Sequence, residues 1–273
     1  MNLPLDIKFK IASFYMESWF KLSFIDDEFK EFSYKDGRKL FINLFTIIEN
    51  CTNYNYVTYK VFNKLHREDN QPAVINSYGG KMWFINGQKH RNNGPAVIDN
   101  DDIQEWYQNG KLHQDNDKPA MIYPNGKCVW YKNGVIHRDN DKPALIYASG
   151  TQEWYQNGVL HRDNDRPASI WSNGTQGWYI NGKMHRDNDQ PALIDLGNDQ
   201  ICCNQRWYQN GVMHRDGDKP ANVYSTGTQL WYKNGKLHRE NDQPAIMDSN
   251  GCHQWYQNGE RYRENNKPTL VFT

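Results

Sequence analysis

The sequence predicts a mainly β protein: an elongated antiparallel β-hairpin repeat array of about nine units of 24 residues, preceded by a small helical N-terminal domain. Three observations carry that expectation. Tryptophans fall at 83, 106, 130, 154, 178, 207, 231 and 255, and prolines at 72, 95, 119, 143, 167, 191, 220, 244 and 268 keep almost the same beat. An Asn-Gly pair follows each of those tryptophans at a fixed distance, as Asn157-Gly158 follows Trp154. The first fifty residues contain no Asn-Gly pair and place apolar side chains at helical spacing, Ile7, Ile11 and Phe14, then Phe41, Leu44, Ile47 and Ile48.

In chain order, residues 1–52 are the expected helical head and residues 53–273 the array. The unit is explicit in "WYKNGVIHRDNDKPALI" (130–146), "WYQNGVLHRDNDRPASI" (154–170) and "WYKNGKLHRENDQPAIM" (231–247). The first copy has Tyr59 in the Trp slot and the last has Tyr262 in the His slot; degenerate end copies suit a stack whose terminal units face solvent. Asn-Gly between alternating arms signals a type I′ hairpin, because both central positions need positive φ. That turn pairs Gln156 with Val159, Tyr155 with Leu160 and Trp154 with His161, with Trp and His on one face and Tyr and Leu on the other. The polar His-Arg-Asp-Asn-Asp run is a corner, and the proline after it marks the entry of a strand. A unit is then two or three short strands and two turns, with Trp, Tyr, the Ala after Pro and the apolar residue two further on as the stacking code. Between Pro191 and Trp207 the stretch "DLGNDQICCNQR" carries five extra residues, expected as a surface loop near 196–204.

Composition excludes several functions. Lys plus Arg and Asp plus Glu are 32 each, so the net charge is zero and the electrostatic footprint of a phosphate-binding protein is missing. Nucleic acid is not an expected partner. No basic stretch leads into an apolar run and no segment has eighteen consecutive apolar residues, so neither a signal peptide nor membrane contact is expected, and the location is cytoplasmic. The five cysteines form no C-x-x-C pairs and read as free thiols, the neighbours Cys202 and Cys203 included. Eight histidines in one slot of the unit could form a metal ladder or could cap corners and stack on tryptophan. Asp139 to Asp141 resemble a calcium loop in composition but lack its spacing, so solvated corners with Arg138-type pairing are expected. No nucleophile elbow, phosphate loop or H-E-x-x-H occurs. No catalytic residue, cofactor or metal is expected, and the chain reads as a non-enzyme.

The pattern "GTQEWYQNGVLHRDNDRPASI" resembles the variant MORN-type repeats, W-Y-x-N-G-K-x-H-R-x-x-G-P-A, that occur in tandem in proteins of giant DNA viruses and in some bacterial and phage proteins. The resemblance covers about residues 59 to 273 and implies a hairpin array used as a scaffold or interaction surface. Only "HRNNGPAV" (90–97) has the Gly-Pro-Ala of those repeats; other copies place Lys, Arg or Gln before Pro. At the other end, Leu3-Pro4-x-Asp6-Ile7-x-x-x-Ile11 is similar to the start of an F-box, although Glu28-Phe29 replaces the customary basic-Trp pair. This second resemblance implies that Leu3, Pro4, Ile7 and Ile11 face a Skp1-like adaptor, in a host cytoplasm if the protein is viral.

The resulting expectation is a protein–protein interaction scaffold, an F-box-type adaptor presenting its array to a protein target. Two alternatives stay open: a structural or virion-associated scaffold without a ubiquitin-ligase link, and a glycan-binding array whose Trp and Tyr rows make aromatic cages. Partner binding is expected on a ridge of positions that vary between copies. These are Gln104, Val129, Gln152, Gln176 and Gln229 before each Trp, and Gln108, Lys132, Gln156, Ile180 and Lys233 before each Asn-Gly. The insertion residues Ile201, Cys202, Cys203 and Asn204 are its most distinctive part.

Overall fold

A computed structural model describes residues 46–51, 56–61, 64–196 and 203–272. The chain divides into two compact units, Met1–Gly110 and Lys111–Thr273. Among the described residues of both units the elements are β-strands, apart from the single helical turn Glu264–Asn266.

In the first unit the strands Thr46–Cys51, Tyr56–Val61, Val74–Asn76, Lys81–Met82, Val97–Ile98 and Gln104–Glu105 pair in that order, each antiparallel to the next. Thr46–Cys51 is a correction: Ile47 and Ile48, expected on a helix, lie on a strand paired residue for residue with Tyr56–Val61. Ile47, Ile48 and Val57 are β-branched, and the extended pairing wins over a helical spacing that rested on a few apolar positions. The rest of the expected head, including Leu3, Pro4, Ile7 and Ile11, lies outside the described residues.

The second unit repeats one plan. Leu145–Ile146 turns back at Tyr147 to Gly150 into Gln152–Glu153, the chain passes Trp154, and Tyr155–Gln156 and Val159–Leu160 form a separate two-stranded hairpin. After the corner, Ser169–Ile170 returns beside Gln152–Glu153. Each full copy therefore holds four two- or three-residue strands and three turns, where two or three strands and two turns were expected. The hairpin register is as expected, with Tyr155 opposite Leu160 and Gln156 opposite Val159. His161 then donates its backbone N–H to the Trp154 carbonyl at 3.0 Å. Asn157 (φ 50°) and Gly158 (φ 84°) supply the two left-handed residues that a type I′ turn requires. A Cβ at Gly158 would also lie 3.1 Å from Val135 Cγ1 of the preceding copy. Gly158→Ala is expected to cost about 1–2 kcal/mol, from the left-handed backbone alone; a denaturant midpoint unchanged from the parent would refute that role.

Register assigns the sheet faces. Cys128, Ile146, Gln152, Ile170, Gln176, Ile194, Gln205, Val223, Gln229, Met247, His253 and Val271 stand opposite one another in one row, alternating a polar or thiol side chain with an apolar one. Val129, placed above with the variable positions, belongs to the opposite row, facing Leu145, and is buried. It sits one residue before Trp130, whereas Gln152 sits two before Trp154, and a one-residue slip changes the face. Cys128 is the true equivalent.

Burial is concentrated in two slots. The Ala after each Pro from Ala73 to Ala245 has no exposed surface, and the tryptophans at 83, 130, 154, 178, 207, 231 and 255 are 6–8% exposed. The Tyr after each Trp and the apolar residue two past the Ala are only half-buried, so the stacking code is narrower than the four expected positions. The two slots are joined through the backbone, as Trp154 N–H donates to the Ala168 carbonyl and Trp178 N–H to the Ala192 carbonyl, each at 2.8 Å.

Candidate functional site

The chemistry-bearing residues of the unit converge on the joint between one copy and the next. In the corner Asp139 to Asp141, Asn140 (φ 60°) and Asp141 (φ 55°) both take the left-handed conformation, which Asn and Asp tolerate because their short side chains bond locally. This second reversal aims the Asp141 carbonyl and carboxylate at the following copy. Trp154 Nε1–H donates to the Asp141 carbonyl at 3.0 Å. Arg162 lies over the Trp154 ring, its Cζ 3.9 Å from the centroid. The same guanidinium donates from Nε and Nη2 to the two carboxylate oxygens of Asp141 at 2.8 and 2.9 Å, and from Nη1 to the Pro167 carbonyl at 3.2 Å. One Arg thus closes its own corner, covers its own Trp and grips the preceding copy by a forked, charge-assisted contact.

The arrangement recurs with Asp117, Trp130 and Arg138, with Asp165, Trp178 and Arg186, with Asp189, Trp207 and Arg215, and with Asp218, Trp231 and Arg239. Arg215 reaches back 26 residues to Asp189 where the others reach back 21, yet the bond lengths match. The five extra residues leave the joint intact. In the first unit Arg91 lies 3.8 Å over Trp83 and donates to the Asn70 side-chain oxygen at 2.7 Å.

The residue before Pro has a use that sequence reasoning missed. Lys142 reaches Asp117 and Lys219 reaches Asp189, each at 2.6 Å, and Arg166 bonds Asp141. The departure from Gly-Pro-Ala installs a second cation on the joint. The signal was in the sequence, as a basic residue directly after an acidic one, but the partner sits in the previous copy. Gln114 marks a local exception, since it occupies the Arg slot and its side-chain oxygen is buried without a hydrogen-bond partner.

Histidine forms the second half of each joint. His137 Nδ1 accepts the backbone N–H of Asn157 in the next copy at 3.1 Å, which leaves the proton on Nε2, 2.9 Å from Asp139 Oδ1. The imidazole caps a neighbouring turn and does not stack on its cross-strand Trp; the guanidinium has taken that place. His161 with Asn181, and His185 with Asn210, repeat the bond. Both ring nitrogens are engaged, and among the described residues no group of three His, Cys, Asp or Glu is placed to hold a metal.

Hydrogen bonds from Arg162 hold the Asp141 carboxyl below its ordinary value, and Arg215 and Lys219 hold that of Asp189 down to about 2. A depressed folded-state value means that the contribution is complete above the unfolded value near 3.8 and is lost as pH falls through the folded one. The array is therefore expected to lose stability on acidification from about pH 4 to about pH 2. Thermal melts across that range check it, and Asp189→Asn should flatten part of the slope.

Several of the positions offered as a variable ridge are also committed. Gln156 donates to Asp163 at 2.8 Å, Lys132 to Asp139 at 2.8 Å and Lys233 to Glu240 at 2.9 Å, each an acid seven residues on in the same copy. Ile180 cannot make that bond. Asn204 lies on strand Asn204–Arg206 opposite Asp195, not in a loop, and its side-chain oxygen accepts the Ser225 N–H at 3.0 Å. Cys203 is a half-buried free thiol, and Ile201 and Cys202 lie outside the described residues. Between successive corners run open polar grooves. One of about 380 Å³ lies between the corner His185 to Asp189 and the stretch Trp207 to Lys219.

The opposite sheet face is aromatic. Tyr155 donates to Glu153 at 3.0 Å, and burial, followed by the nearby Glu153 carboxylate, pushes its hydroxyl well above the usual phenol range. Tyr123, Tyr147, Trp171 and Tyr224 open the turns at the outer edge of this face and are half-exposed. Among the described residues no helix is long and apolar enough to cross a membrane. No protein-family model matches the chain, and no similar curated protein is found.

Proposed function

We propose that the chain is a non-enzymatic scaffold for protein–protein interaction, working in the cytoplasm, with residues 1–52 as an F-box-like head and the repeats as the surface offered to a target. The observation that supports it most is where the polar chemistry is spent. Each joint Arg makes bonds to two copies while covering a Trp, and each joint His caps a turn of the next copy, so the recurring charged residues serve assembly of the array. What distinguishes one copy from another then lies at its surface, which is the usual recognition strategy of repeat proteins. The resemblance to variant MORN-type repeats and to the start of an F-box supports the same reading, as does the expectation of a viral source; a virion-associated scaffold keeps the array and drops the adaptor link.

The test compares the full chain with an Ile7→Asp, Ile11→Asp variant in binding a purified Skp1-like adaptor. Binding lost in the variant supports the adaptor role, and no binding by the parent chain removes it. Trimming residues 197–202 is expected to weaken target binding while leaving the melting temperature nearly unchanged; a drop in stability alone makes the insertion structural. A second reading, glycan binding, is favoured by the half-exposed aromatic column of Tyr123, Tyr147, Trp171 and Tyr224. Saturable quenching of tryptophan fluorescence by soluble oligosaccharides, abolished in Trp171→Ala, would favour it over the scaffold.

A further inference from the structure

Asn-Gly is the sequence most prone to cyclise, because the unsubstituted glycine lets its backbone nitrogen reach the preceding side-chain carboxamide. The nitrogen must give up its proton to do so, and a hydrogen-bonded amide has to open first. The chain carries twelve Asn-Gly pairs. Eleven of the glycine amides donate to a carbonyl. In the hairpins the acceptor belongs to the preceding copy, as Gly134 N–H to Leu112 at 2.7 Å, Gly158 N–H to Ile136 at 2.9 Å and Gly182 N–H to Leu160 at 2.9 Å. In the outer turns the acceptor is local, as Gly174 N–H to the Trp171 carbonyl at 2.8 Å.

Gly94 is the exception. Its N–H makes no hydrogen bond to the protein, and the Asn93 carboxamide before it is likewise unbonded and exposed. The pair sits in the corner "HRNNGPA", a residue shorter than the others and without a carboxylate. We propose that Asn93-Gly94 is a site of spontaneous covalent modification, closing to a succinimide and opening to isoaspartate or aspartate while the other eleven pairs are protected by the fold.

The step balances without a co-reactant other than water. The Gly94 nitrogen loses its proton to solvent and attacks Asn93 Cγ, the N–Cγ bond forms, the bond from Cγ to the amide nitrogen breaks, and ammonia leaves with a proton taken from water. Water then adds to either imide carbonyl and releases a carboxylate. That carboxylate arises on the residue before Gly94, a Cβ on which would lie 3.1 Å from Arg91 Nη1. The modification gives the second copy, whose corner has no carboxylate, an acidic residue such as every other corner holds by sequence.

The experiment incubates the full chain in mildly alkaline buffer, folded in one arm and in denaturant in the other, and follows all twelve pairs by peptide mapping with mass spectrometry. In the folded arm Asn93 is expected to convert at least about tenfold faster than any other pair, the factor set by the opening of a single hydrogen bond. In denaturant that preference should vanish. Asn93→Gln should remove the product at that position and leave the others unchanged. Equal rates in the folded chain, a faster reaction at another pair, or the same preference in denaturant would each overturn the proposal.

Discussion

Trp154→Ala is expected to cost about 3–5 kcal/mol, the range for deleting a large buried aromatic side chain. Three losses coincide there. The indole is 6% exposed, its Nε1–H leaves the Asp141 carbonyl without that donor, and Arg162 loses the ring it lies over. Urea denaturation monitored by circular dichroism measures the cost. Trp171→Ala is the control, since Trp171 is half-buried and takes no part in a joint. Equal losses at the two sites would mean that the joint contributes nothing beyond apolar burial.

Arg162→Ala is the second large effect, expected at about 2–3 kcal/mol. It sums a desolvated cation–π contact and charge-assisted bonds to the preceding corner. An exposed ion pair would give well under 1 kcal/mol, but the Arg162 side chain is only 13% exposed and its fork is engaged on three sides. Arg162→Lys keeps the charge and loses the fork, so it should recover less than half. A double-mutant cycle with Asp141→Ala should show coupling of about 1–2 kcal/mol. Additive losses would place the effect of Arg162 in its own corner rather than in the joint.

Much of the fold was legible in the sequence. The beat of Trp and Pro fixed the unit, and Asn-Gly fixed a hairpin register that the structure reproduces at Tyr155–Leu160. Local rules reach that far because such a turn is decided by two adjacent residues. What the sequence hid is the relation between copies. Asp141, Trp154 and Arg162 read as a solvated corner, a core aromatic and a cation paired with neighbouring carboxylates, and only the fold shows that the carboxylate comes from the preceding copy and that the Arg also covers the Trp. Asn140-Asp141 is a second left-handed pair inside what read only as a polar corner, because Asp in that conformation is less diagnostic than Gly. Val129 shows the opposite error, a position counted from the wrong residue and so assigned to the wrong face. The histidines were expected to cap a corner or stack on the cross-strand Trp, and the bond from Asn157 N–H to His137 shows them capping a turn of the next copy.

Within residues 111–273, every joint is directional: a copy reaches back with Arg and Trp and offers Asp and His forward. The number of copies is therefore not specified by the bonding pattern. Duplicating or deleting one whole unit of DNA leaves each reaching side chain with an equivalent acceptor, whereas a deletion of one or two codons strands both. Such a gene can lengthen or shorten by unequal recombination without a compensating change elsewhere, so related chains are expected to differ in steps of about 24 residues. The five extra residues between Pro191 and Trp207 show that length can also change off that step while the Arg215–Asp189 bond is kept.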